Sequence, residues 1–153
     1  MFELQIGGLF EAQVIIASGW PTHVVRLLPY NEAPFPVTTA AYLQIDVDDI
    51  DLPHHAGIMP NDQHLQRILA FTRSLTDNDR LLVHCLAGVS RSTAIAIGVC
   101  IQHGMTADAA FAYVAEQRDI LQPNRAFIHA IDRHFELDGR LITLVAQHIP
   151  KLF

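Results

Sequence analysis

The sequence is poor in lysine, and it lacks any long hydrophobic run. Lys151 is its only lysine, so chemistry that needs a lysine in the body of the chain, including an ATP-binding Walker loop, is excluded. No uninterrupted apolar run reaches the roughly 18 residues typical of a membrane span. A secretory signal carries basic residues before its apolar stretch. The N-terminus of this sequence has none at that place. We therefore expect a cytoplasmic protein without a membrane partner.

Charge and cysteine are also scarce. Charged residues make up 17% of the 153 residues, and ten basic against sixteen acidic side chains give a formal net charge of −6, which repels nucleic acid and acidic membrane surfaces. Two cysteines, Cys85 and Cys100, match neither a redox nor a zinc-binding spacing and predict a reducing compartment. Half of the residues are apolar, enough for a single domain over residues 1–153 without a metal or disulfide to stabilise it.

What the sequence does contain is a regular alternation of short apolar runs and longer stretches of helical period. The runs predict strands at residues 2–6, 23–28, 42–47 and 81–84. The longer stretches predict helices at 8–18, from 61 or 62 to about 75, and at 90–103, 106–118, 123–136 and 140–149. This alternation predicts an α/β fold whose largely parallel sheet is covered by helices on both faces.

The segment LLVHCLAGVSRST carries the most specific pattern of the chain. Cys85 ends a buried strand, Arg91 follows six residues later, and a helix begins at once. A loop in this place turns its backbone N–H groups inward, and the helix adds its positive end, so the site attracts an anion and favours a thiolate at Cys85. Arg91 offers a planar fork for two phosphoryl oxygens, and Ser92 can donate a hydrogen bond to the sulfur. The alternative, a packed cysteine beside a helix-capping arginine, does not account for Gly88 or Ser92.

The stretch HCLAGVSRS resembles the signature loop of the cysteine-dependent protein tyrosine phosphatases, and its Ser-Arg-Ser ending resembles the dual-specificity branch. The resemblance implies a three-layer α/β/α fold around a four-stranded, largely parallel sheet. It further implies that Cys85 is the nucleophile that forms a phosphocysteine, that Arg91 clamps the phosphate, that Ser92 assists hydrolysis and that His84 supports the loop. The implied phosphate-binding positions are Cys85, Leu86, Ala87, Gly88, Val89, Ser90 and Arg91.

A second stretch, RDILQPNRAFIHAIDRHFE at residues 118–136, resembles a helix-opening pattern of the same branch and implies a supporting role for Asn124. The family usually continues with Gln-Leu where this chain has His129-Ala130. Together with PTHVVRLL and YLQIDVDD, the resemblance covers about residues 20–136, and only the loop motif is highly specific.

Four aspartates in the string DVDDID compete for the role of general acid: Asp46, Asp48, Asp49 and Asp51. In the family the acid lies a few residues beyond a strand, some thirty residues before the cysteine. When YLQI is matched to that strand, Asp49 takes the position, while the other three remain open as candidates or as a solvated charge run. Like-charge crowding favours protonation of one of the four, which suits an acid.

Other site types fit the residues less well. The run from Asp46 to Asp48 resembles a magnesium-dependent phosphatase with an aspartate nucleophile, but Ile50 stands where that type has Thr or Val, and no lysine follows in the body of the chain. His54, His55 and His64 could bind zinc, yet no further ligand stands at a suitable spacing. We therefore expect neither a metal nor a cofactor.

The predicted function is a metal-independent phosphatase of phosphotyrosine, with phosphoserine and phosphothreonine as further candidates. Its expected partners are a phosphoprotein or phosphopeptide and, in the loop, a phosphate, vanadate or sulfate anion. Leu86, Ala87 and Val89 make the variable loop positions apolar, which disfavours a phosphoinositide substrate. The alternatives are a phosphate-binding pseudoenzyme that acts as an adaptor and a sulfur-transfer rhodanese, which needs neither an upstream acid nor Ser92. A buried Cys100 is the expectation, with a redox partner of Cys85 as the alternative.

Overall fold

The computed structural model describes residues 1–32, 35–37, 39–53 and 56–149, and four strands and six helices lie within them. The strands are β1 (Glu3–Gly7), β2 (His23–Leu28), β3 (Ala41–Asp46) and β4 (Arg80–His84). The helices are α1 (Leu9–Ala17), α2 (Asp62–Thr72), α3 (Arg91–Gln102), α4 (Ala107–Gln117), α5 (Arg125–His134) and α6 (Arg140–His148).

The four strands form one parallel sheet in the order β1-β4-β2-β3. β4 and β2 occupy the centre of the sheet, and their apolar runs are buried on both faces, as is typical of central strands in a parallel sheet. α1 covers one face together with the segment that contains Phe35 and Val37. α2 and α3 cover the other face, and α4, α5 and α6 pack outside them. The predicted α/β fold with helical layers on both faces is confirmed.

α3 lies at the centre of the larger helical layer. Every residue from Arg91 to Ile101 is buried, as expected for a helix whose small and apolar side chains face neighbours on all sides. A Cβ added to Gly98 would lie 3.0 Å from Ile131 Cδ1, so α5 packs closely on this helix. Arg91 is the first residue of α3 and is therefore carried by one of the most enclosed elements of the fold.

The predicted elements are all present, and their ends differ by a few residues. The third strand covers Ala41–Asp46 instead of residues 42–47, and α2 ends at Thr72. α5 begins at Arg125, because Asn124 is its N-cap and accepts the N–H of Phe127 at 3.1 Å. Between β2 and β3, residues 29–32, 35–37 and 39–40 belong to neither a helix nor a strand. Among the described residues, no helix has the length and apolarity to cross a bilayer.

Candidate active site

The loop between β4 and α3 places the sulfur of Cys85 at its base. Cys85 is buried, with 2% of its surface exposed. Its Sγ lies 3.2 Å from Ser92 Oγ and accepts the N–H of Gly88 at 3.3 Å. A hydroxyl and a backbone N–H both stabilise negative charge on sulfur. These contacts suit a thiolate that attacks phosphorus and later leaves it.

The outward carbonyl groups of this loop are bonded to neighbouring segments. Leu86 O accepts the N–H of Leu9 at 2.8 Å, and Val89 O accepts the N–H of Gln122 at 3.1 Å. In a trans peptide the N–H points opposite to the carbonyl of the same peptide unit. The N–H groups that follow these carbonyls are thus directed to the inside of the loop, where they can bind the oxygens of a phosphoryl group.

Gly88 has no room for a side chain, because other segments of the chain pass close to the outer side of the loop. Its φ of +73° is disfavoured for residues with a Cβ. A Cβ at this position would lie 2.6 Å from the carbonyl carbon of Gly7 and 2.8 Å from Arg118 Nη2. Arg118 is held there by Glu11, whose carboxylate accepts from Nη1 at 2.8 Å and from Nη2 at 3.1 Å. This ion pair lowers the pKa of Glu11.

Arg91 points from the start of α3 towards the end of β3. It is buried, with 3% of its surface exposed, and its Nη1 donates to Val47 O at 2.6 Å. Its Nε has no hydrogen-bond partner among the described residues. The guanidinium is therefore anchored by one nitrogen and keeps donors for the two oxygens that its planar fork can bind.

The structure brings Asp49 to the rim of the same loop. Its Oδ1 accepts the hydroxyl of Ser90 at 2.6 Å and the amide of Asn124 at 3.1 Å. The same amide also donates to Ile50 O at 3.0 Å. Asn124 thus joins the segment after β3 to the start of α5. Asp49 is held close to the site where a leaving group would need a proton.

The other three aspartates make different contacts. Asp48 accepts the backbone N–H of Ile58 at 2.7 Å, and Asp46 accepts the amide of Gln44 at 3.1 Å. Asp51 lines the cavity beside Asp49, but its carboxylate lies 3.7 Å from Arg125 Nε. The geometry therefore favours Asp49 as the acid and leaves Asp51 as its nearest competitor.

The cavity above Cys85 has a volume of about 1060 Å³ and extends beyond the loop to α5 and α6. Its far wall is formed by apolar side chains and by His129, which replaces the glutamine usual in the family. The apolar residues of this wall are Ile128, Ile142, Val145, Ala146 and Ile149. Sequence reasoning missed the contribution of α6, because an amphipathic pattern indicates an inward face but does not say which site that face borders.

Cys100 lies in the core of α3. Burial raises the pKa of its thiol to about 12. Both cysteines are free thiols, and every residue of α3 from Arg91 to Ile101 is buried, Cys100 among them. The structure favours packing as the role of Cys100 and does not support a redox partnership with Cys85.

The histidines considered for zinc do not form a cluster in the described part of the chain. His64 Nδ1 accepts the N–H of Asn61 at 3.3 Å and thereby caps α2. His54 and His55 lie outside the described residues. Among the described residues, no three His, Cys, Asp or Glu side chains are grouped as metal ligands.

Comparisons with known proteins find relatives of this chain. The family model for the dual specificity phosphatase catalytic domain matches residues 28–136. Human dual specificity protein phosphatase 16 is 34% identical over an alignment of 90 residues that covers 53% of this chain and 14% of that protein. The mouse serine/threonine/tyrosine-interacting protein is 32% identical over 94 residues, 61% of this chain and 40% of that protein. The chain thus spans less than half the length of these curated relatives.

A solved structure shows the same architecture. The human tyrosine phosphatase-like serine/threonine/tyrosine-interacting protein superposes with a TM-score of 0.69 at 27% identity. The alignment covers 88% of this chain and 92% of that one. The likeness therefore extends over most of both chains.

Proposed function

The chain belongs to the family of dual specificity phosphatase catalytic domains, and on that premise we propose that it is an active, metal-independent phosphatase of phosphotyrosine proteins. One observation carries the proposal: Cys85, Arg91 and Asp49 border one cavity, each held by contacts that suit its role. These are the three residues that the resemblance implies, and the proposal gives each of them the role that the resemblance implies.

In the first half of the proposed reaction, the Cys85 thiolate attacks phosphorus and forms an S–P bond. Arg91 and the inward N–H groups of the loop bind the three non-bridging oxygens, whose charge they stabilise. The bond between phosphorus and the substrate oxygen breaks, and that oxygen takes a proton from Asp49. The products are the dephosphorylated side chain and a phosphocysteine.

In the second half, a water molecule attacks phosphorus and loses a proton to Asp49, which is now ionised. The S–P bond breaks and inorganic phosphate is formed. The hydroxyl of Ser92, 3.2 Å from Cys85 Sγ, stabilises the departing thiolate. Over both halves one water is consumed and the enzyme returns to its initial state.

Metal independence is the direct test of this function. Because Arg91 and backbone N–H groups supply the positive field, we expect hydrolysis of an aryl phosphate to persist in EDTA. Vanadate, which mimics five-coordinate phosphorus, should inhibit it. Steady-state assays in chelator and with added magnesium would measure both effects. An absolute requirement for magnesium would refute the cysteine mechanism and favour Asp46 as the nucleophile.

An adaptor function is the second candidate, because one relative is named as an interacting, phosphatase-like protein. This chain keeps the cysteine, the arginine and a positioned acid, and that combination favours turnover over simple binding. Phosphopeptide binding that is tight but without release of phosphate by the wild-type protein would support the adaptor instead.

The apolar wall of the cavity supports a peptide substrate with a bulky apolar residue beside the phosphotyrosine. Such a residue would lie along α6, whose apolar side chains match it better than they match the polyhydroxylated head group of a phosphoinositide. The apolar loop positions Leu86, Ala87 and Val89 support the same choice.

Ala146→Trp should test this preference, because Ala146 is exposed and lines the apolar wall. The added indole would occupy part of the cavity beside α6. We expect kcat/KM for peptides with a bulky apolar neighbour to fall about tenfold, with a smaller change for a simple aryl phosphate. The matched control is Gln147→Trp, since Gln147 is exposed on the same helix but does not line the cavity. Equal losses for both substrates, or in both variants, would contradict the assignment.

A further inference from the structure

A buried arginine lies behind the catalytic loop. Arg26 in β2 is 2% exposed, and its Nε and Nη2 have no hydrogen-bond partner among the described residues. Its guanidinium stacks 4.5 Å from the centre of the Phe35 ring and 6.0 Å from that of Tyr42. Cation–π contacts offset only part of the cost of burying a charge. Burying this charge therefore lowers the free energy of unfolding, and a functional role would explain why an arginine occupies the position.

The cross-strand neighbour of Arg26 is His84, the residue before the catalytic cysteine. The two residues are paired in the register of β2 and β4. Phe35 covers both side chains, because its ring also stacks on His84 with a centroid distance of 5.8 Å. His84 is fully buried, and its Nε2 has no hydrogen-bond partner among the described residues. The guanidinium and the imidazole therefore share one enclosed site.

The other ring nitrogen of His84 faces the loop, with Nδ1 3.3 Å from Cys85 O. A carbonyl oxygen only accepts, so this contact is a hydrogen bond only when Nδ1 carries a proton. Burial, with a contribution from the charge on Arg26, lowers the pKa of His84 to about 4. A neutral ring with its proton on Nδ1 has a lone pair on Nε2, and a nearby cation stabilises that arrangement.

We propose that Arg26 is a positioning residue for the phosphatase reaction: its buried charge favours the tautomer of His84 that carries its proton on Nδ1, and His84 thereby fixes the carbonyl of Cys85. Because that carbonyl and the N–H of Leu86 belong to one trans peptide, they point in opposite directions. Turning the carbonyl towards His84 turns the N–H of Leu86 towards the phosphate. At 3.3 Å the hydrogen bond is long, and a charge that favours the proton on Nδ1 strengthens it. Only one part of this inference rests on the proposed function, namely the expected effect of Arg26 on the rate of the reaction.

The test compares wild type with Arg26→Met, which removes the charge and keeps the length of the side chain. Nitrogen-15 NMR of histidine-labelled protein at pH 7, with His84→Asn to assign the signals, reports which ring nitrogen of His84 is protonated. We expect a proton on Nδ1 alone in the wild type and a mixture of forms in Arg26→Met. Arg26→Lys, which restores a charge, should restore most of the wild-type spectrum. The matched control is Arg73→Met, which removes an exposed arginine at the end of α2.

Rates and stability complete the test. Removing a donor to a developing charge costs about 10² to 10³ in kcat, so we expect misorientation of one donor to lower kcat about tenfold on an aryl phosphate. The melting temperature of Arg26→Met should be equal to or above that of wild type, because an unpaired buried charge has been removed. In the His84→Asn background, Arg26→Met should have little further effect on kcat.

Three results would overturn the inference: a proton on Nε2 of His84 in the wild type, an unchanged spectrum in Arg26→Met, or a loss of activity that only follows a loss of stability. If Arg26→Met does not fold, the comparison of Arg26→Lys with Arg26→Gln separates charge from packing by the same spectrum. Failure of the proposed function would appear differently, as a wild-type protein without phosphatase activity whose His84 spectrum can still be read.

Discussion

Cys85→Ser is expected to abolish turnover, with kcat lowered by at least about 10⁴-fold on both aryl phosphates and phosphopeptides. The serine hydroxyl stays protonated near neutral pH, and the contacts of Cys85 Sγ are a hydroxyl and a backbone N–H, neither of which is a base. The phosphate site itself is retained, because Arg91 is anchored independently of the sulfur through Val47 O. Single-turnover kinetics would measure the loss, and titration with a phosphotyrosine peptide should show that binding survives.

Cys100→Ser is the matched control for this prediction. It removes the other cysteine from a fully buried position in α3, so we expect a lower melting temperature and a kcat within a few-fold of wild type. Substantial activity in Cys85→Ser, or an equal loss in Cys100→Ser, would contradict the assignment of the nucleophile.

The parts of the fold that sequence predicts well depend on local patterns. The apolar runs of β2 and β4 indicate buried strands by themselves, and the signals around Asn61 and Gly104 mark helix ends within a few residues. The nucleophilic loop is also contiguous, since the cysteine, the arginine and the start of α3 lie within seven residues. A site built from one segment can be predicted from its sequence.

The rest of the site depends on contacts between distant segments. Asp49 is positioned by Ser90 and Asn124, which are 41 and 75 residues away in the chain. No spacing rule distinguishes Asp49 from Asp48 or Asp51, because the choice depends on where the segment after β3 meets the loop. The resemblance to a family supplied the choice of Asp49, and the structure places the Asp49 carboxylate against Ser90 and Asn124.

Arg26 shows why periodicity fails for single polar residues. In the run HVVRLL the pattern indicates a buried strand, but it does not say whether the arginine extends to solvent or remains enclosed. Only the packing of Phe35 across the face of the sheet encloses its guanidinium. The pairing with His84 follows from the strand order, which places β2 beside β4 and which no local pattern specifies.

Asp49→Asn should lower kcat for phosphotyrosine peptides by about 10² to 10⁴-fold, the usual contribution of a general acid. The leaving group of such a peptide needs a proton, whereas an aryl phosphate with an acidic phenol leaves without one and should lose far less. The substitution is close to isosteric, and its side-chain oxygen can still accept from Ser90 and Asn124 as Asp49 does. A difference between the two substrates would therefore report proton transfer and not a displaced loop.

The pH dependence of kcat/KM separates Asp49 from its neighbours. The acidic limb reports ionisation of the attacking system, and the alkaline limb reports loss of the proton from the acid, so the alkaline limb should flatten in Asp49→Asn. Asp51→Asn weakens the contact with Arg125, and Asp48→Asn keeps an acceptor for the N–H of Ile58. Both controls should retain both limbs. If the alkaline limb survives in Asp49→Asn and disappears in Asp51→Asn, the acid is Asp51, while the role of Cys85 would stand, because its contacts lie within the loop and α3.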